Sequence, residues 1–249
     1  MRVLDQIAHN NAWSSRGTGG KAALCLGLMA TALLGSPPFA ALLVLLTTAI
    51  LARMSARVPA AVFLGMLLIP ASFLVTTLPM LAISVSWQEG LLLTWSATGA
   101  RNAVLLGLRS LATLAAMLLL ALTTPPMRLL TLGKKLGVSS VFIDLAMLTY
   151  RLLFVLGEMA ATGFQSQSFR LGYQGWRRSL RSLALLVAGL LGRTLHQARR
   201  METGLAARGY AGNLPVLSSA PQTLPGEWLW AVALPGGILL VSRELARYG

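Results

Sequence analysis

The chain has 249 residues, of which 55% are hydrophobic and only 11% charged, with a net charge of +14. A water-soluble domain carries about 25% charged residues, so this composition excludes an ordinary soluble protein and makes a lipid bilayer the relevant solvent. The basic residues lie beside long apolar runs rather than in a polar domain, which argues against nucleic acid as the partner. It points to the positive-inside bias of a membrane protein and to contact with anionic lipid or an acidic partner.

Residues 22–52, 58–88, 110–127 and 228–242 carry no charged side chain. The single cysteine, Cys25, lies in the first of these runs and allows no internal disulfide framework. Residues 1–20 are polar and contain Arg2 and Arg16, which predicts a short cytoplasmic leader with no signal-cleavage pattern.

The run 22–52 is broken by Gly35-Ser36-Pro37-Pro38. Arg16 and Lys21 flank one end, Arg53 and Arg57 the other. Positive flanks belong on one side of the membrane, so two short crossings with an external Pro-Pro turn are expected. A third crossing follows over 60–87, kinked by Pro70 and Pro79. Residues 84–100 lack Lys and Arg but hold Trp87, Glu89 and Trp95, the pattern of an external loop with interfacial aromatics. The fourth crossing covers 102–124. Arg109 falls within it and is expected to snorkel to the outer interface rather than pair inside the bundle.

Beyond Pro125-Pro126 the character changes. Between Pro125 and Gly209 lie twelve Lys and Arg against Asp144, Glu158 and Glu202, a net of +9. Such a segment belongs on the cytoplasmic side. Val141, Leu145, Leu148, Leu152, Leu156 and Met159 recur at spacings of three and four, as do Leu183, Leu186, Val187 and Leu190. Three amphipathic helices are predicted, over 125–136, 139–167 and 177–206, lying along the membrane rather than crossing it. Residues 210–225 read as a loop. A fifth crossing over 227–242 leaves Arg243 and Arg247 outside, against the bias; a crossing by one amphipathic helix would remove that conflict.

The expected fold is therefore an all-α integral membrane protein with about five transmembrane helices and a cytoplasmic region of amphipathic helices. Its parts are residues 1–124, 125–211 and 212–249.

No phosphate-binding Gly-x-x-x-x-Gly-Lys-Ser/Thr loop and no His-Glu-x-x-His pair occurs. The only histidines, His9 and His196, are far apart, so neither a catalytic constellation nor a resident metal or cofactor is expected. Asp144, Arg151 and Glu158 fall seven apart, which places them on one helical face. In a spanning helix such a stripe would suit a proton or cation carrier; on an amphipathic helix it is a polar face. A lipid-modifying enzyme with a basic cytoplasmic face is a third possibility, and would show activity as a purified chain.

Two Arg-centred motifs stand out. Ser168-Phe169-Arg170-Leu171-Gly172 follows one amphipathic helix and Ala207-Arg208-Gly209 follows the next. An Arg at a helix end, followed by a Gly able to adopt a left-handed backbone, is well placed to project. Its guanidinium can then fork onto a carboxylate or carbonyl cluster of a partner.

These stretches, QSQSFRLGY and QARRMETGLAARGY, resemble the coupling region of the transmembrane T component of energy-coupling factor (ECF) transporters, a branch of ABC importers. The opening Leu4-Asp5-Gln6-Ile7-Ala8, Asn11-Ala12-Trp13 and Lys21 resembles the CbiQ type from cobalt importers. The resemblance implies a non-catalytic scaffold in a bacterial inner membrane. It implies contact with two ATP-binding cassette ATPase subunits through Ser168, Arg170, Gly172, Ala207, Arg208 and Gly209. It further implies a membrane substrate-binding component, metal-specific and CbiM-like, with or without a small CbiN-like subunit. The first motif departs from the small-Arg-Gly form, with Phe169 before the Arg and Leu171 after it.

Overall fold

The computed structural model describes residues 2–36, 38–86, 92–95, 97–210 and 224–248. Nine helices are formed among them: α1 Arg2–Asn10, α2 Thr18–Leu34, α3 Phe39–Ile50, α4 Ala60–Ala82, α5 Ala97–Thr123, α6 Pro126–Lys135, α7 Ser140–Phe169, α8 Trp176–Ala207 and α9 Pro225–Tyr248. A short antiparallel pair, β1 Ile83–Ser86 and β2 Leu92–Trp95, separates α4 from α5, with Ile83 opposite Trp95 and Ser86 opposite Leu92. The third crossing thus stops at Ala82, and the chain turns through strands where a longer helix was expected. Trp87 and Glu89, and residues 211–223 of the expected second loop, lie outside the described residues.

Among the described residues four segments are long and apolar enough to cross a membrane: Ala60–Leu81, Ala97–Thr123, Ser140–Phe169 and Pro225–Arg247. Thr18–Leu34 and Phe39–Ser55 are shorter apolar helices. The fold is an all-α membrane protein. α7 is long and apolar enough to cross although it was expected to lie along the surface, because its charges are spread widely over 30 residues. α8, with arginines at both ends, is too highly charged to count among them.

The chain divides into two compact units, Met1–Leu129 with Ser219–Gly249, and Leu130–Ser218. In the first, α2 and α3 form a hairpin about Gly35, whose N–H caps Thr31 O at 2.9 Å. The backbone is tight there: a Cβ on Gly35 would lie 2.4 Å from Ala40 Cβ and 2.6 Å from Thr31 O. α9 runs in the same direction as α2. Its start meets the start of α2 through a 3.2 Å hydrogen bond from Gly17 N–H to Glu227 Oε2. Midway, a Cβ on Gly27 would stand 2.8 Å from Pro235 Cγ. α5 runs the opposite way and buries a small-residue face of Ala103, Gly107, Ala112, Ala115 and Ala116, extended by Leu119 and Leu122. In lipid, helices associate by close packing rather than by expelling water, and small residues let backbones approach. Leu28, Val44, Leu119 and Leu122 are fully buried at the centre of this core.

α3 ends in a π-helical turn, Leu51–Ser55, closed by Ala56 N–H to Leu51 O at 2.8 Å. Arg57 then takes φ +55° before Pro59 breaks the direction. This turn receives the leader. Ala12 N–H donates to Ala56 O at 3.2 Å, and Trp13 Nε1 donates to Ser55 Oγ at 2.8 Å. Asn11 Nδ2 reaches Ala8 O at 2.8 Å and Leu122 O at 3.1 Å, while Asn11 Oδ1 accepts from Trp13 N–H. The buried Lys21 ammonium donates to Trp13 O at 2.6 Å and Thr123 O at 3.3 Å, and Arg128 donates to Ser14 O. The leader is thus folded across one end of the bundle and pinned by charged donors. From sequence, Lys21 was only a topological flank.

Arg109 does not snorkel outward. It turns into the bundle and donates to Gly35 O at 3.2 Å. The hairpin leaves that carbonyl outside the helical ladder, and an unpaired carbonyl in lipid is costly; a guanidinium on the facing helix satisfies it.

Candidate functional site on the α7–α8 hairpin

In the second unit the predicted helices 139–167 and 177–206 are observed as Ser140–Phe169 and Trp176–Ala207. They form an antiparallel hairpin. The turn, Arg170–Gly175, is held by Ser182 Oγ–H to Gly172 O at 2.8 Å and by Tyr173 O–H to Gln167 Oε1 at 2.7 Å. The Tyr173 ring rests on Phe164 with centroids 4.5 Å apart. Gly163 opens α7 to α8: a Cβ there would lie 2.5 Å from Leu186 Cδ1. Away from these contacts the hairpin is open. α8 buries no residue, and α7 buries only Ile143, Asp144 and Met147.

The two Arg motifs close their helices in the same way. After α7, Leu171 N–H bonds Ser168 O at 3.0 Å and Gly172 N–H bonds Gln167 O at 2.9 Å. After α8, Gly209 N–H bonds Ala206 O at 3.0 Å and Tyr210 N–H bonds Leu205 O at 3.0 Å. Both are Schellman endings, with the Arg as C-cap and a left-handed residue next. Arg170 and Arg208 therefore occupy equivalent positions, both exposed. The left-handed residue is Gly209 (φ +71°) at the second tip but Leu171 (φ +57°) at the first. The register explains the irregular first motif. Gly172 corresponds to Tyr210, not to Gly209, and has a different task. A Cβ on it would sit 2.8 Å from Ser182 Oγ and 2.9 Å from Gln167 O, so Gly172 lets the turn close on α8.

Because the helices are antiparallel, the two tips point from opposite ends of the hairpin. A 30-residue helix spans about 45 Å, which sets the scale of their separation. Beside each tip runs a groove between the helices. Near the first, of about 390 Å³, Arg170 is joined by Arg193 from α8. Near the second, of about 290 Å³, Arg208 is joined by Arg200 and by Arg151 from α7. Among the described residues the lining of each groove holds arginines and no acid, so each tip is an electropositive end suited to a carboxylate-bearing surface.

Of the expected residues, Ser168 bonds its hydroxyl back to Phe164 O at 2.9 Å within α7, while Ala207 and Gly209 are exposed at the second tip. The two tips flank their arginines differently. Phe169 and Leu171 are 79% and 58% exposed at the first, with Trp176 79% exposed just after it; the second is lined by alanine and glycine. The Asp144, Arg151, Glu158 stripe is not gathered into one buried path: Asp144 is buried, whereas Arg151 and Glu158 are exposed. Arg151 shares the groove of Arg208 instead. Arg151, Arg193 and Arg200 were not singled out with the tips because heptad spacing relates residues on one helix and says nothing about the facing one. Among the described residues no group of three His, Cys, Asp or Glu side chains is placed to hold a metal ion.

A multi-pass α-helical membrane protein with an arginine-tipped basic hairpin is the class these elements define. Residues 10–217 match the family described as CbiQ, cobalt transport protein. The chain is 38% identical over 244 residues to cobalt transport protein CbiQ of Rhodobacter capsulatus, covering 95% of this chain and 98% of that one. It is 28% identical over 223 residues to CbiQ of Salmonella typhimurium, covering 86% and 99% respectively. It is also 34% identical over 104 residues to a putative fused cobalt transport protein CbiMQ of Methanocorpusculum labreanum, covering 42% of this chain and 17% of that one. The chain belongs to the CbiQ family of cobalt transport proteins, membrane components of cobalt transport.

Proposed function

We propose that the chain is the coupling scaffold of an ECF-type cobalt importer in a bacterial inner membrane, carrying force rather than catalysing a reaction. Arg170 and Arg208 each enter a groove on one of two cytoplasmic ATPase subunits. ATP draws the subunits together, the two tips follow, and the hairpin changes its angle. Its apolar faces pass that change to a CbiM-like substrate component, with or without a CbiN-like subunit, which holds the cobalt ion and reorients in the membrane.

The observation that carries this reading is the matched pair of Schellman endings, which present two arginines in the same way from opposite ends of one hairpin. A topological arginine has no need of such a cap, and two partners that move together need two separated handles. The exposed apolar side chains of α7 and α8, such as Phe142, Leu153, Leu183 and Leu191, give a surface for the substrate component. The relative whose name marks it as a CbiM–CbiQ fusion supports a CbiM-like neighbour. A coupling element of this kind requires two conformations that nucleotide biases differently.

The test is cobalt uptake by cells expressing the complete transporter. Charge reversal at Arg170 and Arg208 together is expected to abolish ATP-dependent uptake while the chain still inserts and still holds its substrate component. Uptake that survives the double reversal, or that proceeds with this chain alone and is lost on Asp144→Asn, would replace the scaffold with a self-sufficient carrier.

A further inference from the structure

We infer that the leader end of the first unit carries a binding site for one anionic phospholipid, with the phosphate held by Arg16 and Lys21 and an acyl chain laid between α2 and α9. A cavity of about 560 Å³ opens there, within the range of about 300–1,000 Å³ typical of small-ligand sites. One side is charged, formed by Arg16, Lys21 and Glu227; the other is apolar, formed by Leu24, Leu51, Trp230 and Leu234.

The charge on the polar side is not balanced from within. Arg16 lies over the Trp13 ring at 5.1 Å, and neither Arg16 nor Lys21 forms an ion pair among the described residues. Lys21 is 3% exposed and, among the described residues, its hydrogen bonds go to the neutral carbonyls of Trp13 and Thr123. An ammonium has three N–H groups, so one remains unassigned. Among the described residues Glu227 is the only carboxylate in the lining, and its Oε2 is engaged by the N–H groups of Gly17 and Leu224. Glu227 offsets part of the positive charge electrostatically, but two cations against one carboxylate still leave the pocket net positive, and a buried cation in excess of its counter-ions is costly. An anion that enters with its own apolar tail meets both sides of the cavity.

Place argues for a lipid over a free anion. The cavity lies at the end of apolar helices and is lined by Trp13 and Trp230 together with Arg16, while Arg128 bonds Ser14 O nearby, the composition of a membrane–water interface. Basic pockets between membrane helices at that depth take anionic headgroups. Trp230 is 70% exposed, so the groove is open along the face that lipid would cover.

The experiment is a thermal-unfolding titration of the full chain in a neutral maltoside detergent with phosphatidylglycerol, phosphatidylcholine or inorganic phosphate. Phosphatidylglycerol is expected to raise the midpoint saturably, as a ligand of the folded state does, and the other two to leave it unchanged. Arg16→Gln, at an exposed position, is expected to weaken the phosphatidylglycerol response about fivefold, the worth of one basic contact at a lipid surface. Trp230→Ala removes the groove wall and should weaken it as well, whereas Arg243→Gln, remote from the cavity, should not. An equal rise with phosphatidylcholine would mean an apolar groove without headgroup selection. An equal rise with phosphate would mean a free-anion site. Either result overturns the inference, as does a phosphatidylglycerol response that Arg16→Gln and Trp230→Ala leave intact.

Discussion

The two compact units of the chain solve opposite problems. In the first, the unusual residues mostly serve closure: Asn11, Trp13 and Lys21 tie the leader down, Arg109 satisfies the hairpin carbonyl, and Gly27 and Gly35 allow backbone contact. In the second, the unusual residues hold ends open. The α7–α8 hairpin buries almost nothing, and its order is concentrated at a turn and two helix caps. Arg109 and Arg128 in the first unit are internal hydrogen-bond donors; Arg170 and Arg208 in the second are exposed beside grooves. The same residue type serves as mortar in one place and as a handle in the other, and the backbone around it decides which.

Substitutions can break that contrast from either side. Gly35→Val should have the largest effect. Its Cβ would overlap Ala40 and Thr31 O, with a loss of about 3 kcal/mol or more for an overpacked core position; thermal unfolding in detergent reads it. Arg208→Glu should leave that unfolding unchanged and instead cost about 2 kcal/mol or more in affinity for an ATPase subunit, the scale of an arginine hot spot, measured by surface-immobilised binding. Gly172→Ala forces Ser182 or Gln167 to shift. It is expected to cost about 1–2 kcal/mol and to weaken binding at the Arg170 tip while sparing the Arg208 tip. Leu171→Gly should act in the other direction. It relieves a left-handed leucine, a strain of about 1 kcal/mol, so the midpoint rises slightly while partner binding falls only as far as the leucine side chain contributes to it.

Much of this was legible in the sequence, for identifiable reasons. Prolines and glycines punctuate the helices, so the boundaries of α6, α7 and α8 fall within two residues of their expected places. The hairpin at Gly35 followed from the positive flanks on its two arms. What the sequence hid were relations between elements. Depth alone suggested that Arg109 reaches outward, because its partner is a carbonyl 74 residues away. Arg151 was grouped with Asp144 and Glu158 by their even spacing, yet antiparallel pairing sets it beside Arg208. Lys21 looked like a topology signal until Trp13 O and Thr123 O were seen to converge on it. The first tip looked irregular until hydrogen bonds showed that Leu171, not Gly172, takes the place of Gly209.

The most direct measurement is the mass of the complex formed, without nucleotide, between this chain and its ATPase subunits. Wild type, Arg170→Glu, Arg208→Glu and the double reversal would be compared by light scattering. If each tip holds one subunit, wild type carries two, each single reversal carries one, and the double reversal carries none. Two subunits retained on the double reversal would contradict the assignment of the tips as the coupling contacts.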